Sequence, residues 1–554
     1  MTAMSSIESG EHGPKNRSEQ EVAAARRLVR DRILWLALGL AVAACLLIYF
    51  HVPYVNGPRG PKQWLWPYMH RDVFLQSLLK AAWRLVLGGA VIGGLSWLVL
   101  RRMRPGVLRR TTGLAALVCW GVFFVWVSLV TATPHGLSQV AKIVKSPVWT
   151  SYFTLALWIQ EGRQPPLGET LQRYAELLPD LPLHTSTHPP GAVLASYGML
   201  RFFQNHPALS AGMGGFYQLI GADPEKLRVE RLGAQEVTLL SLGFLVVLVG
   251  QLGVFPLFWL VRRSMRDSLG PGGEGESGRV AWAAAAVWAL YPALVLMVPA
   301  FDLLYPTVTL LCLYLAMRGL NDHPAAWGAA LALAFMAAIT FTFTLLLLVP
   351  MLCLFAWLDL SRRAASLRPG AVLKQAHPGS ATGKRLWVLI STTVITCMAI
   401  DALLRYVLGI HLLQIFFAAV QNQNEQLLPK LNRTFRVWVF YNVWDFLLFA
   451  GAPLAILAVT GFVRTFRGWW NKPPAIIPAL AVFPITVLAV DLSHQLSAET
   501  ARVWLFLAPG IAWAGAAELV RRSGKRWLWV LAGLLLTQTL FIYICRTNMM
   551  LWGI

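Results

Sequence analysis

This 554-residue sequence predicts an all-α polytopic membrane protein, with juxtamembrane helices in one large external loop. Three observations predict that fold class. The chain is 56% hydrophobic and only 13% charged, whereas soluble domains carry roughly 25% charge. Its apolar residues fall in uncharged runs long enough to cross a bilayer, which takes roughly 17–25 residues. Its basic residues gather in short loops between those runs: "RRMRPGVLRR" (101–110), "RRSMR" (262–266), "SRRAASLR" (361–368), "RTFR" (464–467) and "RRSGKR" (521–526). More than half of the 48 Lys and Arg residues lie in the N-terminal tail and in alternate loops, as the positive-inside rule requires. The net charge of +22 therefore reports topology and calls for no nucleic-acid partner.

The elements follow in order. Residues 1–32 form a cytoplasmic tail that is too long for a signal-peptide n-region. The run that follows passes Cys45 without a break, so it is a signal-anchor helix rather than a lipoprotein leader. Spans fall near 33–50, 82–100 and 111–130, which make up the first membrane segment, 33–130. A large external loop, 131–236, comes next. Spans near 237–261, 281–299, 303–317, 325–340 and 344–360 make up the segment 237–360. A basic cytoplasmic loop covers 361–385. The C-terminal segment 386–554 holds spans near 386–401, 445–463, 475–490, 503–519 and 527–545, with a second external loop at 402–444. That makes about thirteen spans by apolar run length. Two runs, 280–317 and 324–358, are too long for one helix and are flanked by basic segments. Each reads as a hairpin, with "VPAFDLLYP" and "TFTFT" (340–344) at the turns.

Within the large loop, "SPVWTSYFTLALWIQEG" reads as an interfacial helix, with Ser146 as N-cap, Pro147 at its first position and Gly162 as its stop. "LGETLQRYAELL" (167–178) reads as a short amphipathic helix. "PPGAVLASYGMLRFFQN" (189–205) reads as a third helix, with Pro189 and Pro190 in its first turn. "GPGGEGESG" (270–278) reads as a flexible cytoplasmic loop. All six cysteines fall inside apolar runs, so no disulfide framework is implied.

Four constellations could carry chemistry. "LPLHTSTHPPGAVL" (181–194) puts Thr187 and His188 at a helix mouth, where unpaired amides and the dipole favour phosphate. The alternatives are a capped loop with His184 and His188 solvated, or a His-x3-His metal pair, which the prolines disfavour. Asp302 is the lone acid of a long apolar hairpin. It marks either a functional site or a hydrated turn tip. Glu499 and Arg502 in "HQLSAETARVWLFLAPG" (494–510) stand i, i+3 at the mouth of a span. They form either an anion site or a local pair that snorkels. "NQNEQLLPKLNRTFRVWVFYN" (422–442) mixes amides, bases and aromatics, as a saccharide surface or an interfacial aromatic belt would. No Walker A, Rossmann glycine fingerprint, HExxH or GxSxG pattern is present.

In order and side of the membrane, these motifs resemble the C-type (GT-C) glycosyltransferase superfamily. The nearest branch is that of protein O-mannosyltransferases and bacterial aminoarabinose transferases. The resemblance rests on "THPPG" with His188 at the family's basic position, and on "YPALVLMVPAFDLL" with Asp302 at its hairpin acid. It also rests on "WGAALALAFMAAITFTFTLLLLVP" and on "ETARVWLFLAP" with Arg502 at its arginine. It implies an enzyme that moves a sugar from a polyprenyl-phosphate carrier to a lipid, glycan or protein acceptor on the external face. In that role Thr187, His188 and Arg502 hold the phosphate, and Glu161 or Asp302 is the catalytic carboxylate. His184, Glu499 and Asp180 are secondary candidates, and some relatives bridge carboxylate and phosphate with a divalent metal. The default location is the bacterial inner membrane.

Two features depart from the family pattern. The large loop follows the third span instead of the first. The stretch that should hold an early acid, "SPVWTSYFTLA", has none, so Glu161 is the nearest carboxylate, with Glu169, Glu176 and Asp180 as alternatives. Two other classes stay open: a transporter or flippase for a lipid-linked or amphiphilic solute, and a non-catalytic relative.

Overall fold

The computed structural model describes residues 31–59, 65–69, 73–103, 106–269, 271–365, 380–427, 433–471 and 477–552. Most of the N-terminal tail and of the 361–385 loop lies outside them. Among the described residues the protein is all α-helical, with one isolated bridge, between Tyr68 and Met549. It is a polytopic membrane protein.

By length and composition, ten helices among the described residues can cross a membrane, or eleven if one bent pair counts as a span. That number differs from the expected thirteen at three places, the last of which is one apolar stretch that holds two helices. The 445–463 run is broken: Phe435–Leu448 and Ala452–Arg467 meet at 112°. The 475–490 run is a single short apolar helix, Pro478–Ser493. The last two runs form one continuous apolar stretch, Leu505–Asn548, divided into the helices Ala508–Ser523 and Trp527–Asn548 at Gly524. These two helices run back on each other. Arg522 pairs with Asp31, the N-cap of the helix Arg32–Tyr49, while Met549 bridges Tyr68, which follows the other end of Arg32–Tyr49.

Both long apolar runs do turn back as hairpins. Glu274–Ala289 and Tyr305–Asn321 are joined through Pro292–Leu296, a cis peptide at Val298–Pro299 and a 3-10 turn at Phe301–Leu304. Pro324–Phe341 and Leu348–Ala365 are joined through Phe343–Leu347. There Thr342 accepts from the Thr344 amide at 3.2 Å. "GPGGEGESG" is not a flexible loop at its C-terminal end. Glu274 and Glu276 open a helix there, and acids in a first turn favour the dipole.

The core lies where Ala508–Ser523 packs against Glu274–Ala289, rich in alanine, and against Ala452–Asn471. In a bilayer, helices gain by close packing of small residues. Gly461 shows how close these helices come, since a Cβ there would fall 2.8 Å from the Ala514 carbonyl.

The 146–162 helix differs from expectation. Ser146 does accept backbone N–H groups, from Val148 and Trp149 at 3.2 Å each, but it caps only a turn. The helix begins at Tyr152, after Ser151 at φ +52°, and stops before Gly162 at φ +73°. Nor is it interfacial: Phe153, Leu155 and Ala156 are fully buried, because the helix packs against Gly191–Asn205. The 167–178 helix is two short pieces, Leu167–Gln172 and Tyr174–Leu177, interrupted at Arg173. The 189–205 helix starts two residues late, at Gly191, with Pro190 as its N-cap.

Candidate active site

The site begins with the "HTSTH" turn, which the chain holds from three sides. The Thr185 amide donates to Ser151 Oγ at 3.0 Å, Tyr174 donates to the Thr185 carbonyl at 3.3 Å, and Asn422 donates to the Ser186 carbonyl at 2.8 Å. Thr185–Thr187 forms a 3-10 turn, and His188 leaves it extended. His188 Nδ1 lies 2.9 Å from the His184 carbonyl and 3.1 Å from Thr187 Oγ1. A carbonyl only accepts, so Nδ1 carries the proton and Nε2 presents a lone pair. The His184 carbonyl, with Thr187 Oγ1 beside it, therefore orients His188.

The helix mouth itself is enclosed. Pro189 and Pro190 supply no N–H. Gly191, Ala192 and Val193 are buried, and Gly191 lies against the Thr340 carbonyl so closely that no side chain fits.

Three other segments reach this turn. Tyr152 stacks edge-on against His188 at 5.9 Å and against Phe301 at 5.1 Å between ring centroids. Beside Phe301, Asp302 Oδ2 stands 3.5 Å from Arg502 Nε. Arg502 Nη2 pairs with Glu499 at 2.7 Å. At 3.5 Å the Asp302 contact is electrostatic, and Arg502 Nε is buried with no hydrogen-bond partner. Trp552 lies 6.0 Å from the Arg502 guanidinium and meets Trp149 edge-on at 5.8 Å. Thus Asp302, Glu499 and Arg502 come into contact, with His188 and His184 within their field.

That field sets the charges. Burial opposes ionisation of Arg502, but Glu499 and then Asp302 outweigh it, so the guanidinium is held above its ordinary range. Burial first, then Arg502 and His188, hold the His184 imidazole well below its usual value. Burial likewise lowers His188, with Asp302 opposing. Both imidazoles are neutral at neutral pH, although part of each remains accessible. The Tyr152 hydroxyl is pushed well above its usual value by burial and then by Asp302.

The remaining carboxylates are elsewhere. Glu161 caps the far end of Tyr152–Gln160, roughly 13 Å along the helix from Tyr152. It pairs with Arg163 at 2.9 Å on the surface. Glu169 and Glu176 both pair with exposed Arg173. Asp180 is exposed at the end of a 3-10 turn whose first residue, Leu178, is buried.

Sequence reasoning missed the frame that holds Glu499. Ala498 and Glu499 are consecutive non-glycine residues at φ +68° and +52°, a strained backbone that its surroundings must enforce. Asn442 and Asp445, on Phe435–Leu448, do so. Ala498 N donates to Asn442 Oδ1 at 3.0 Å, and Thr500 Oγ1 donates to the Asn442 carbonyl at 2.7 Å. Asp445 accepts from Ala501 N at 2.9 Å, from Thr500 Oγ1 at 3.1 Å and from Trp66 Nε1 at 2.7 Å. Arg433 adds a second guanidinium beside Glu499 and Arg502; burial lowers its pKa while Glu499 opposes. The mixed stretch 422–442 was the only signal for this frame. It contains Arg433 and Asn442, and Asp445 lies three residues past its end.

Among the described residues, no three His, Cys, Asp or Glu side chains come together as metal ligands. Asp302 and Glu499 both face Arg502 instead. This donor set does not fit a divalent ion.

The fold and this polar cluster define an all-helical integral membrane protein with a buried carboxylate–arginine site. No family model and no curated protein matches the chain. The crystal structure of the Archaeoglobus fulgidus oligosaccharyltransferase, in complex with Zn and sulfate, is similar at a TM-score of 0.35 and 14% identity, over 74% of this chain and 52% of that one. The chain thus spans about half the length of that enzyme. Similarity at this level assigns neither family nor activity.

Proposed function

We propose that this protein is a membrane glycosyltransferase of the GT-C type that moves a sugar from a polyprenyl-phosphate carrier to an acceptor on the external face of a bacterial inner membrane. The observation that carries this reading is the meeting of Asp302, Arg502 and Glu499 beside His188, drawn from three distant parts of the chain. In such a transfer an acceptor hydroxyl oxygen bonds to the anomeric carbon. The bond from that carbon to the phosphate oxygen breaks, and the carrier leaves as a phosphate anion. The hydroxyl proton goes to a carboxylate.

The placement of the residues supports the following division of roles. Asp302, at the cluster, is the base, and Glu161, a helix length away, is not. Arg502 meets the charge developing on the leaving phosphate, as a preorganised donor in a water-poor site should. Its buried Nε, with no hydrogen-bond partner, is available for that bond. Neutral His188 offers Nε2 as an acceptor to a sugar hydroxyl, or becomes a cationic donor if phosphate raises its pKa. Tyr152, Phe301, Trp149 and Trp552 supply ring faces suited to a sugar. The acceptor is a lipid, glycan or protein hydroxyl. No step is routed through a metal.

One observation favours a transporter instead: the helix pair broken at 112°, since broken helices mark solute sites in transporters.

The test is sugar transfer from polyprenyl-phosphate donors by the purified protein in lipid, comparing wild type with His188→Ala, Asp302→Asn and Arg502→Ala. The expected loss for Arg502→Ala is about 10²–10³-fold in kcat. Full activity in all three variants would overturn the site. Solute flux in place of transfer by the wild type would favour the transporter.

A further inference from the structure

A second polar pocket lies at the opposite end of the bundle, independent of the site above. It opens where Ala452–Asn471, Ala508–Ser523 and the start of Arg32–Tyr49 meet. Its volume is about 300 Å³, and its charged lining is Arg464, Arg467, Glu518, Arg521 and Arg522. Ala508–Ser523 runs from beside the Arg502 segment down to this pocket, roughly 24 Å at 1.5 Å per residue.

The lining is built around one carboxylate. Glu518 is 1% exposed and holds three guanidiniums: Arg521 at 2.6 Å, Arg522 at 2.7 Å and Arg464 at 3.1 Å. Arg522 also pairs with Asp31 at 3.0 Å. Three guanidiniums therefore face Glu518, Asp31 shares one of them, Arg522, from the rim, and with Arg467 beside them four arginines outnumber two carboxylates, so cationic charge is left over.

The contacts to Glu518 use particular guanidinium nitrogens. Arg464 uses Nε, and Arg521 uses Nε and Nη2. The Arg464 and Arg521 side chains are 51% and 40% exposed, so their guanidiniums remain reachable from outside the pocket. Arg467 has no ion-pair partner among the described residues. Fixed guanidinium forks of this kind match phosphate oxygens.

The apolar part of the lining gives the orientation. Val459, Val463 and Arg467 follow one another at four-residue steps, so they share one helix face. Val459 is 44% and Val463 45% exposed. The face thus passes from an exposed apolar wall to a cationic rim near the helix end. A soluble phosphate needs only the rim, whereas a lipid uses both parts, with its headgroup at the arginines and an acyl chain along the valines. Basic pockets between membrane helices have this chemistry.

We propose that this pocket binds the phosphate headgroup of an anionic membrane phospholipid, with an acyl chain along Val463 and Val459. Two measurements on the full-length protein in detergent test it: the melting temperature, and lipid retention by native mass spectrometry. The additives are phosphatidylglycerol, phosphatidylcholine and inorganic phosphate, each at the same concentration. Phosphatidylglycerol is expected to raise the melting temperature and stay bound, and the other two are not.

Arg467→Gln leaves every partner of Glu518 in place, so it should melt like wild type without lipid. It should retain phosphatidylglycerol roughly fivefold more weakly, as loss of one surface cation near a lipid headgroup predicts. Val463→Trp, which blocks the wall without touching a charge, should weaken retention as well. Equal effects of phosphatidylglycerol and phosphatidylcholine would overturn the proposal. So would the same stabilisation by inorganic phosphate alone, or wild-type retention in both variants.

Discussion

Arg502 joins Asp302, at a turn between two membrane helices, to Glu499, three residues before it in its own loop: Nε lies 3.5 Å from Asp302 and Nη2 lies 2.7 Å from Glu499. One cation therefore keeps two largely buried carboxylates from facing each other alone. Removing one partner of such a buried group costs about 3–5 kcal/mol. Arg502→Ala should lower both the melting temperature and sugar transfer. Arg502→Lys keeps the charge but not the planar fork. It should retain most of the stability while losing transfer, and thermal melting beside kinetics separates the two.

Glu161 and Asp302 are both candidates for the base, and they stand in different surroundings. Glu161 forms a surface pair with Arg163, and such pairs contribute about 0–1 kcal/mol. Glu161→Gln is expected to leave transfer within about twofold of wild type, whereas Asp302→Asn abolishes most of it. A large loss in Glu161→Gln with an active Asp302→Asn would reverse the assignment.

Asp445 accepts three hydrogen bonds that hold the strained loop before Arg502. In Asp445→Asn one oxygen becomes a donor facing donors, and a buried unsatisfied group costs about 1–3 kcal/mol. The melting temperature should fall accordingly. Because the loop carries Glu499, kcat should fall too, although Asp445 itself touches no substrate. Wild-type kinetics in the variant would mean that the loop needs no such frame.

Gly191 sits against the Thr340 carbonyl, which a side chain would strike. Gly191→Ala should destabilise by about 1–3 kcal/mol, the usual range for overpacking, and should disturb His188 three residues upstream. Gly198, in the same helix, has open space around its Cα. Gly198→Ala should therefore be neutral or stabilising by up to about 1 kcal/mol. Melting curves of the two variants side by side check this.

His184 is held well below its usual pKa, by burial first and by Arg502 second. A histidine kept neutral when folded binds fewer protons than the unfolded chain does below a pH of about 6.5. Stability should therefore fall as pH drops from about 6.5 and stay level above it. His184→Asn removes the titrating group, so its melting temperature should vary less with pH over that window. An unchanged slope would show that another group is responsible.

The membrane class, the two hairpins and the arginine-rich end of the bundle were legible in the sequence, because hydropathy and loop charge act locally and a bilayer rewards them residue by residue. Asp302 and Arg502 were legible for a related reason: a charge beside an apolar run stands out. The chain could not say which carboxylate joins Arg502. Glu161 and Asp302 differ only in where folding takes them, one to a surface pair with Arg163 and one to Arg502. Helix starts shifted for the same reason. Ser146 satisfies every local rule for an N-cap, yet the Ser151–Thr185 contact with the "HTSTH" turn delays the helix to Tyr152. The supporting roles of Asn442 and Asp445 had no local signature either. Their partners lie more than fifty residues along the chain, and only the packed bundle brings them together.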